Sequence, residues 1–140
     1  MGEPTGKTDP AGGADRTRVA EAFCRHRFGE TFRHMADTVT WRLIGERTIE
    51  GKADVVATCD ESSRALADLV TTFDRFRVIE AGETVVVESQ AEYRAGDGEV
   101  SRVASCDIFD FSGASLQAIT SFTAELPADP HAPETETDVS

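Results

Sequence analysis

Apolar side chains recur along this chain at two different periods, and the change comes near residue 71. Ahead of that point the spacing is three and four. Val19, Ala22 and Phe23 follow Asp15, a good helix N-cap; Gly29 interrupts the pattern, and Phe28, Phe32 and Met35 carry it on at i, i+4, i+7. Two short helices, or one broken helix, are predicted. Thr38–Ile44 is rich in β-branched and large residues (Val39, Thr40, Trp41, Leu43, Ile44) and reads as a strand ended by Gly45. A helix after Gly51 follows from Val55, Val56, Cys59, Leu66 and Leu69.

Beyond residue 71 the period is two. Phe76 and Val78 alternate with Arg75 and Arg77, and Ala81-Gly82-Glu83 is a turn. Thr84–Arg94 then sets Val85, Val87, Ser89, Ala91 and Tyr93 on one face, with Val86, Glu88, Gln90, Glu92 and Arg94 on the other. Asp97-Gly98 is a strong hairpin signal. Two further strands are predicted, Glu99–Phe111 and Ser115–Leu126, joined at Ser112-Gly113. Helix, strand, helix and then a run of antiparallel strands is the pattern of an α+β domain with its helices gathered on one face of a sheet.

The chain has 140 residues, the size of one domain. Residues 1–13 and 127–140 are rich in Gly, Pro and Thr or in Pro and acids, so they read as flexible tails around a folded unit at 14–126. The Gly2-to-Thr8 stretch looks like a phosphate-binding loop, but it is one residue short and has no strand before it. A net charge of −12 repels phosphate backbones and argues against a nucleic-acid partner. No apolar run approaches the ~20 residues of a membrane span and no secretory signal is visible, so a cytoplasmic protein with no membrane partner is expected. Cys24, Cys59 and Cys106 are far apart and read as small buried hydrophobes rather than a disulfide framework. His26, His34 and His131 have no metal-ligand spacing, so no metal site is expected; His26 and His34 read as solvated or partly packed helix residues.

Asp107 is the residue that calls for chemistry. It stands in mid-strand among Ala104, Cys106, Ile108, Phe109 and Phe111, and it shares parity with the two phenylalanines. A carboxylate there is costly unless it is paired, protonated or faces a cavity; an exposed strand face is the alternative, and the cavity is expected because the phenylalanines share its face. In the last strand Gln117, Ile119, Ser121, Thr123 and Glu125 share one face, while Leu116, Ala118, Thr120, Phe122, Ala124 and Leu126 share the other. Either the second face is the core, or the hydroxyl face lines a pocket and a second subunit covers the apolar one. Trp41 and Arg42 point to opposite sheet faces, so one packs and the other is free to line a cavity.

Three stretches carry a family resemblance. Met35 to Gly45 resembles the first strand of SnoaL-like proteins, within the nuclear transport factor 2-like superfamily. Ile49-Glu50-Gly51-Lys52-Ala53 resembles the approach to their next helix, and Cys106 to Gly113 with Leu116 and Ile119 resembles their penultimate hairpin. The resemblance spans roughly residues 16–126. It implies a cone: a curved, mostly antiparallel sheet wrapped by N-terminal helices around a pocket, with a homodimer through the sheet.

The resemblance also implies a cofactor-independent enzyme (cyclase, isomerase, dehydratase or hydrolase) working by acid/base chemistry on a small apolar polyketide-, steroid- or terpenoid-like molecule. A non-catalytic small-molecule-binding or interaction module on the same fold is the alternative. Asp107 matches the place where ketosteroid isomerases keep a protonated Asp that donates to an oxyanion. Arg42 takes the place of their general base; it stays protonated, and its expected role is to steady an enolate or carboxylate. Their oxyanion tyrosine, expected near Ala22 or Phe23, is missing, as are the charged residues of limonene epoxide hydrolase at Ser89, Ala91 and Ser121. Asp107 and Arg42 are thus the catalytic candidates, and Trp41, Tyr93, Ser105, Phe109, Ile119 and Ser121 the substrate-binding ones.

Overall fold

The structure is a computed structural model that describes residues 10–127, with side chains from residue 13. In chain order it contains helix α1 (Pro10–Cys24), two single-turn 3-10 helices (Phe28–Glu30 and Phe32–His34), strands β1 (Met35–Leu43) and β2 (Arg47–Glu50), helix α2 (Lys52–Leu66), and strands β3 (Val70–Ala81), β4 (Thr84–Arg94), β5 (Val100–Ser112) and β6 (Ser115–Leu126). The strands form one curled sheet in the order β2-β1-β6-β5-β4-β3. Every neighbouring pair is antiparallel except β1 and β6, which run parallel. The architecture is the expected α+β one. The turns after β3 and β5 place Gly82 and Gly113 at φ 63° and 60°, the left-handed conformation that a two-residue hairpin loop needs at its first position.

The core lies between the inner sheet face and the helices. Val39, Val55, Cys59, Val85, Val87, Phe109, Leu116 and Ile119 are fully buried, and Phe23 of α1 packs edge-on against Trp41 and Phe109. Burying each large apolar side chain contributes about 1.5–3 kcal/mol. The alternation in β4 is followed faithfully: Val85, Val87, Ser89 and Ala91 are buried.

Four details depart from the sequence reading. Helix α1 begins at Pro10, so residues 10–13 belong to it and not to the tail. Asp15 therefore lies within the helix, where it pairs with Arg18 at 2.8 Å instead of capping. Residues 1–9 and 128–140, with the loop-like stretch at Gly2–Thr8 and His131, lie outside the described residues. The short strand β2 was not foreseen, and the first strand starts at Met35 rather than Thr38. The last departure matters most. A register shift between Asp110 and Phe111 pairs Phe111 with Leu116 but Asp110 with Ala118. This bulge inserts one extra residue in β6, so Leu116 and Ile119, which strict alternation puts on opposite faces, are both fully buried. Beyond the bulge Ile119 and Ser121 face the helices, while Phe122 stands 43% exposed on the outer face.

Candidate functional site

Sheet register builds the site in rows. Asp107 of β5 lies between Val87 of β4 and Ser121 of β6, and Ser121 lies beside Leu43 of β1. The next row is Phe76, Ser89, Ser105 and Thr123, and the one after it holds Phe73, Ala91 and Val103. The ends of α1 and α2 roof these rows with Phe23, Cys24, His26, Ser62, Ala65 and Leu66. Between floor and roof is a cavity of about 320 Å³, mostly apolar, with a few converging polar groups. That volume suits a small organic molecule.

Asp107 is held at one end of this cavity. The Trp41 indole N–H donates to Ser121 Oγ at 2.9 Å, and the Ser121 hydroxyl donates to Asp107 Oδ1 at 2.5 Å. The Cys24 thiol donates to the other carboxyl oxygen at 3.5 Å. Because the indole can only donate, the Ser121 oxygen is occupied as an acceptor and its proton is directed at Asp107. Burial raises the Asp107 pKa above the usual carboxylate range; the Ser121 and Cys24 hydrogen bonds oppose that shift without cancelling it. Burial, with the Asp107 charge next in order, pushes the Cys24 thiol well above its ordinary value. A carboxyl with a raised pKa in an apolar pocket is better suited to proton transfer than an exposed one.

The second polar group comes from the end of α1. The helix closes with Arg27 N–H donating to Ala22 C=O (2.8 Å) and His26 N–H to Phe23 C=O (3.0 Å), the paired bonds of a Schellman ending. His26 therefore sits where glycine is usual, at φ 66°. For a side chain other than glycine this costs about 1–2 kcal/mol. Its imidazole packs against the Phe28 and Phe73 rings, and Nε2 lies 3.0 Å from the Tyr93 hydroxyl. Burial lowers the His26 pKa. Burial also raises that of Tyr93, with a further push from the Asp107 charge. At neutral pH the cavity thus holds a neutral imidazole and a neutral phenol facing a carboxyl group.

Of the predicted residues, Asp107, Trp41, Tyr93, Ser105 and Ser121 line the cavity together. Phe109 and Ile119 do not; both are fully buried in the packed core. Arg42 is a correction. Trp41 takes the inner face, so alternation turns Arg42 outward, where it is exposed and shares no cavity with Asp107. The sequence reading missed Cys24 and His26 as site residues. The helical pattern stops near Cys24 with no glycine until Gly29, which marks where the helix ends but not which side chains enter the cavity. Among the described residues no cluster of His, Cys, Asp and Glu could hold a metal ion, and no helix is long and apolar enough to cross a membrane.

The model of the SnoaL-like domain family matches residues 17–119. Among solved structures, a nuclear transport factor 2-like protein of unknown function from Cytophaga hutchinsonii is similar at a TM-score of 0.72 and 27% identity, over 80% of this chain and 98% of that one. A nuclear transport factor 2-like protein from Anabaena variabilis gives 0.65 and 17% over 88% and 98%. An LEH-like epoxide hydrolase of M. tuberculosis gives 0.59 and 16% over 79% and 84%. No curated protein matches the chain. A cavity roofed by N-terminal helices on a curled sheet, and a family match over most of the chain, lead to one conclusion: this protein belongs to the SnoaL-like family.

Proposed function

We propose that this protein binds a small, largely apolar molecule in the cavity and moves a proton on it through Asp107, with no cofactor. The observation that carries this reading is the Asp107 carboxyl: buried, raised in pKa, and fixed by Ser121 and Cys24 at the wall of an apolar cavity. The substrate class is a polyketide-, steroid- or terpenoid-like molecule, and the reaction an isomerisation, cyclisation, dehydration or hydrolysis in which a proton leaves or joins carbon or oxygen. Arg42 plays no part in this scheme; hydrogen-bond donors in the cavity replace it in steadying developing negative charge.

A generic assay reads the step without knowing the natural substrate. In D2O, exchange of α-protons in a panel of cyclic ketones is followed by proton NMR. The wild type is expected to accelerate exchange for at least one ketone, and Asp107→Asn to slow it about 10²–10⁴-fold. Full exchange in the Asn variant removes Asp107 from the reaction. Binding of the ketones without exchange in the wild type supports the second reading, a non-catalytic binding module. One observation favours that reading: with Arg42 turned outward, no arginine or lysine among the described residues lines the cavity to balance Asp107.

The same proposal extends to assembly. Phe122 and Ile79 stand 43% exposed and share the outer sheet face with the half-buried Val86 and Ile108. A second copy packed sheet to sheet would cover them, and a homodimer is the expected state.

A further inference from the structure

His26 and Tyr93 share a hydrogen bond at the cavity wall. His26 Nε2 is hydrogen-bonded to the Tyr93 hydroxyl, while Nδ1 is buried with no hydrogen-bond partner. A neutral imidazole carries its proton on one nitrogen only. Placed on Nδ1, that proton would be a buried donor with nothing to receive it, and orphaned buried N–H groups are the rarest kind. Placed on Nε2, it is used, and only a lone pair is left among the Phe28 and Phe73 rings.

With Nε2–H donating, the phenol oxygen accepts, and the Tyr93 O–H has to donate elsewhere. Among the described residues Tyr93 makes no other hydrogen bond, and it lines the cavity. The backbone points the same way. His26 is held at φ 66° in a helix ending that glycine would make without strain. Packing alone does not call for a histidine at that position.

We propose that His26 is a positioning residue that fixes the Tyr93 hydroxyl as a hydrogen-bond donor into the cavity, so that the ligand is one presenting an acceptor-only oxygen, a ketone or ester carbonyl, to Tyr93. This rests on the small-molecule reading of the cavity given above and names the ligand's polar group.

Two measurements test it. Long-range proton–nitrogen NMR on uniformly 15N-labelled protein reports which imidazole nitrogen of His26 bears hydrogen. The Nε2–H form is expected, and the Nδ1–H form overturns the proposal whatever the protein binds. The second measurement compares two probes of one shape, 1-tetralone and the hydrocarbon tetralin, by calorimetric titration. The wild type is expected to prefer the ketone about five-fold, the weight of one neutral hydrogen bond. Tyr93→Phe should abolish that preference. His26→Gly should reduce it to less than two-fold while the hydrocarbon still binds, because glycine suits the backbone there and leaves the helix ending intact. A ketone preference unchanged in either variant overturns the assignment. If neither probe binds the wild type, the small-molecule function fails for this class, and the nitrogen spectrum still decides the role of His26.

Discussion

Replacing Ser121 by alanine tests the reasoning about the site most directly, because this hydroxyl serves two buried groups. It accepts from the Trp41 indole at 2.9 Å and donates to Asp107 at 2.5 Å. Its removal orphans a buried N–H, at about 1–3 kcal/mol, and takes a hydrogen bond from a carboxylate, at about 1.5–3 kcal/mol. Relaxation and the surviving Cys24 contact reduce the sum, so a loss of about 2–5 kcal/mol is expected at pH 8, a large share of the stability of a domain this size. The loss has a pH signature. The Ser121 bond lowers the Asp107 pKa against the raising effect of burial, so without it the native carboxyl keeps its proton to higher pH. The native variant then binds more protons than the native wild type across the Asp107 titration, and the stability gap widens as pH rises and narrows as it falls. Urea unfolding at pH 5 and pH 8 reads both quantities. A double-mutant cycle with Trp41→Phe isolates the indole, since the double variant has no N–H left to orphan and should recover about 1–2 kcal/mol relative to additivity. A loss below 1 kcal/mol, or one equal at both pH values, would refute the proposed hydrogen-bond chain.

Three further predictions rest on other groups. His26 has its pKa lowered by burial, so the unfolded chain takes up a proton first as pH falls below about 6.5; the wild type should lose stability from there downward, and His26→Gln should flatten the slope in thermal melts between pH 7 and 5. Asp107 acts in the opposite sense, gaining stability as pH falls from its raised pKa toward its ordinary value, so the comparison has to be made against the His26 variant and not read from the wild type alone. Arg102, buried on the outer face, donates to Asp74 at 2.7 Å, to Gln90 and to the Pro127 carbonyl; Arg102→Ala should cost about 1–3 kcal/mol in urea unfolding, and a change under 0.5 kcal/mol would show these contacts to be idle. Phe122→Asp should convert a dimer to a monomer in light scattering with an unchanged circular dichroism spectrum, whereas a wild type that is monomeric at micromolar concentration would end the sheet-to-sheet proposal.

The sequence made some of this legible, and physics explains which parts. Period-two alternation places the inner face of β4 from Val85 to Tyr93, and it gives Asp107 the parity of Phe109 and Phe111, because a strand has one bit of information per residue and a buried face uses it consistently. A bulge breaks that rule by one residue. Nothing in Leu116-Gln117-Ala118-Ile119 announces that Leu116 and Ile119 will both point inward; the shift is imposed by pairing with Phe111 and Phe109 on the neighbouring strand. Arg42 shows a different limit. Alternation says that Trp41 and Arg42 point apart, but not which is inside, and a large indole able to reach Ser121 outcompetes a guanidinium for the inner face. His26 and Cys24 were illegible for a third reason: Cys24 meets Asp107 across 83 residues of sequence and His26 meets Tyr93 across 67, and no local pattern encodes such contacts.

Those two long-range contacts share one short segment. Cys24 and His26 are two residues apart, so their Cα atoms lie within about 7 Å, yet one touches the carboxyl on β5 and the other the phenol on β4. Asp107 and Tyr93 stand in register rows six residues apart along the sheet, about 20 Å if the sheet were flat. Both nevertheless line one cavity, and Cys24 and His26 touch one each, so the curl of the sheet and the length of the tyrosine bring the two toward the helix end. The closing turn of α1 is therefore a common anchor for both polar groups. Displacing it would loosen the Cys24 contact to Asp107 and the His26 contact to Tyr93 together.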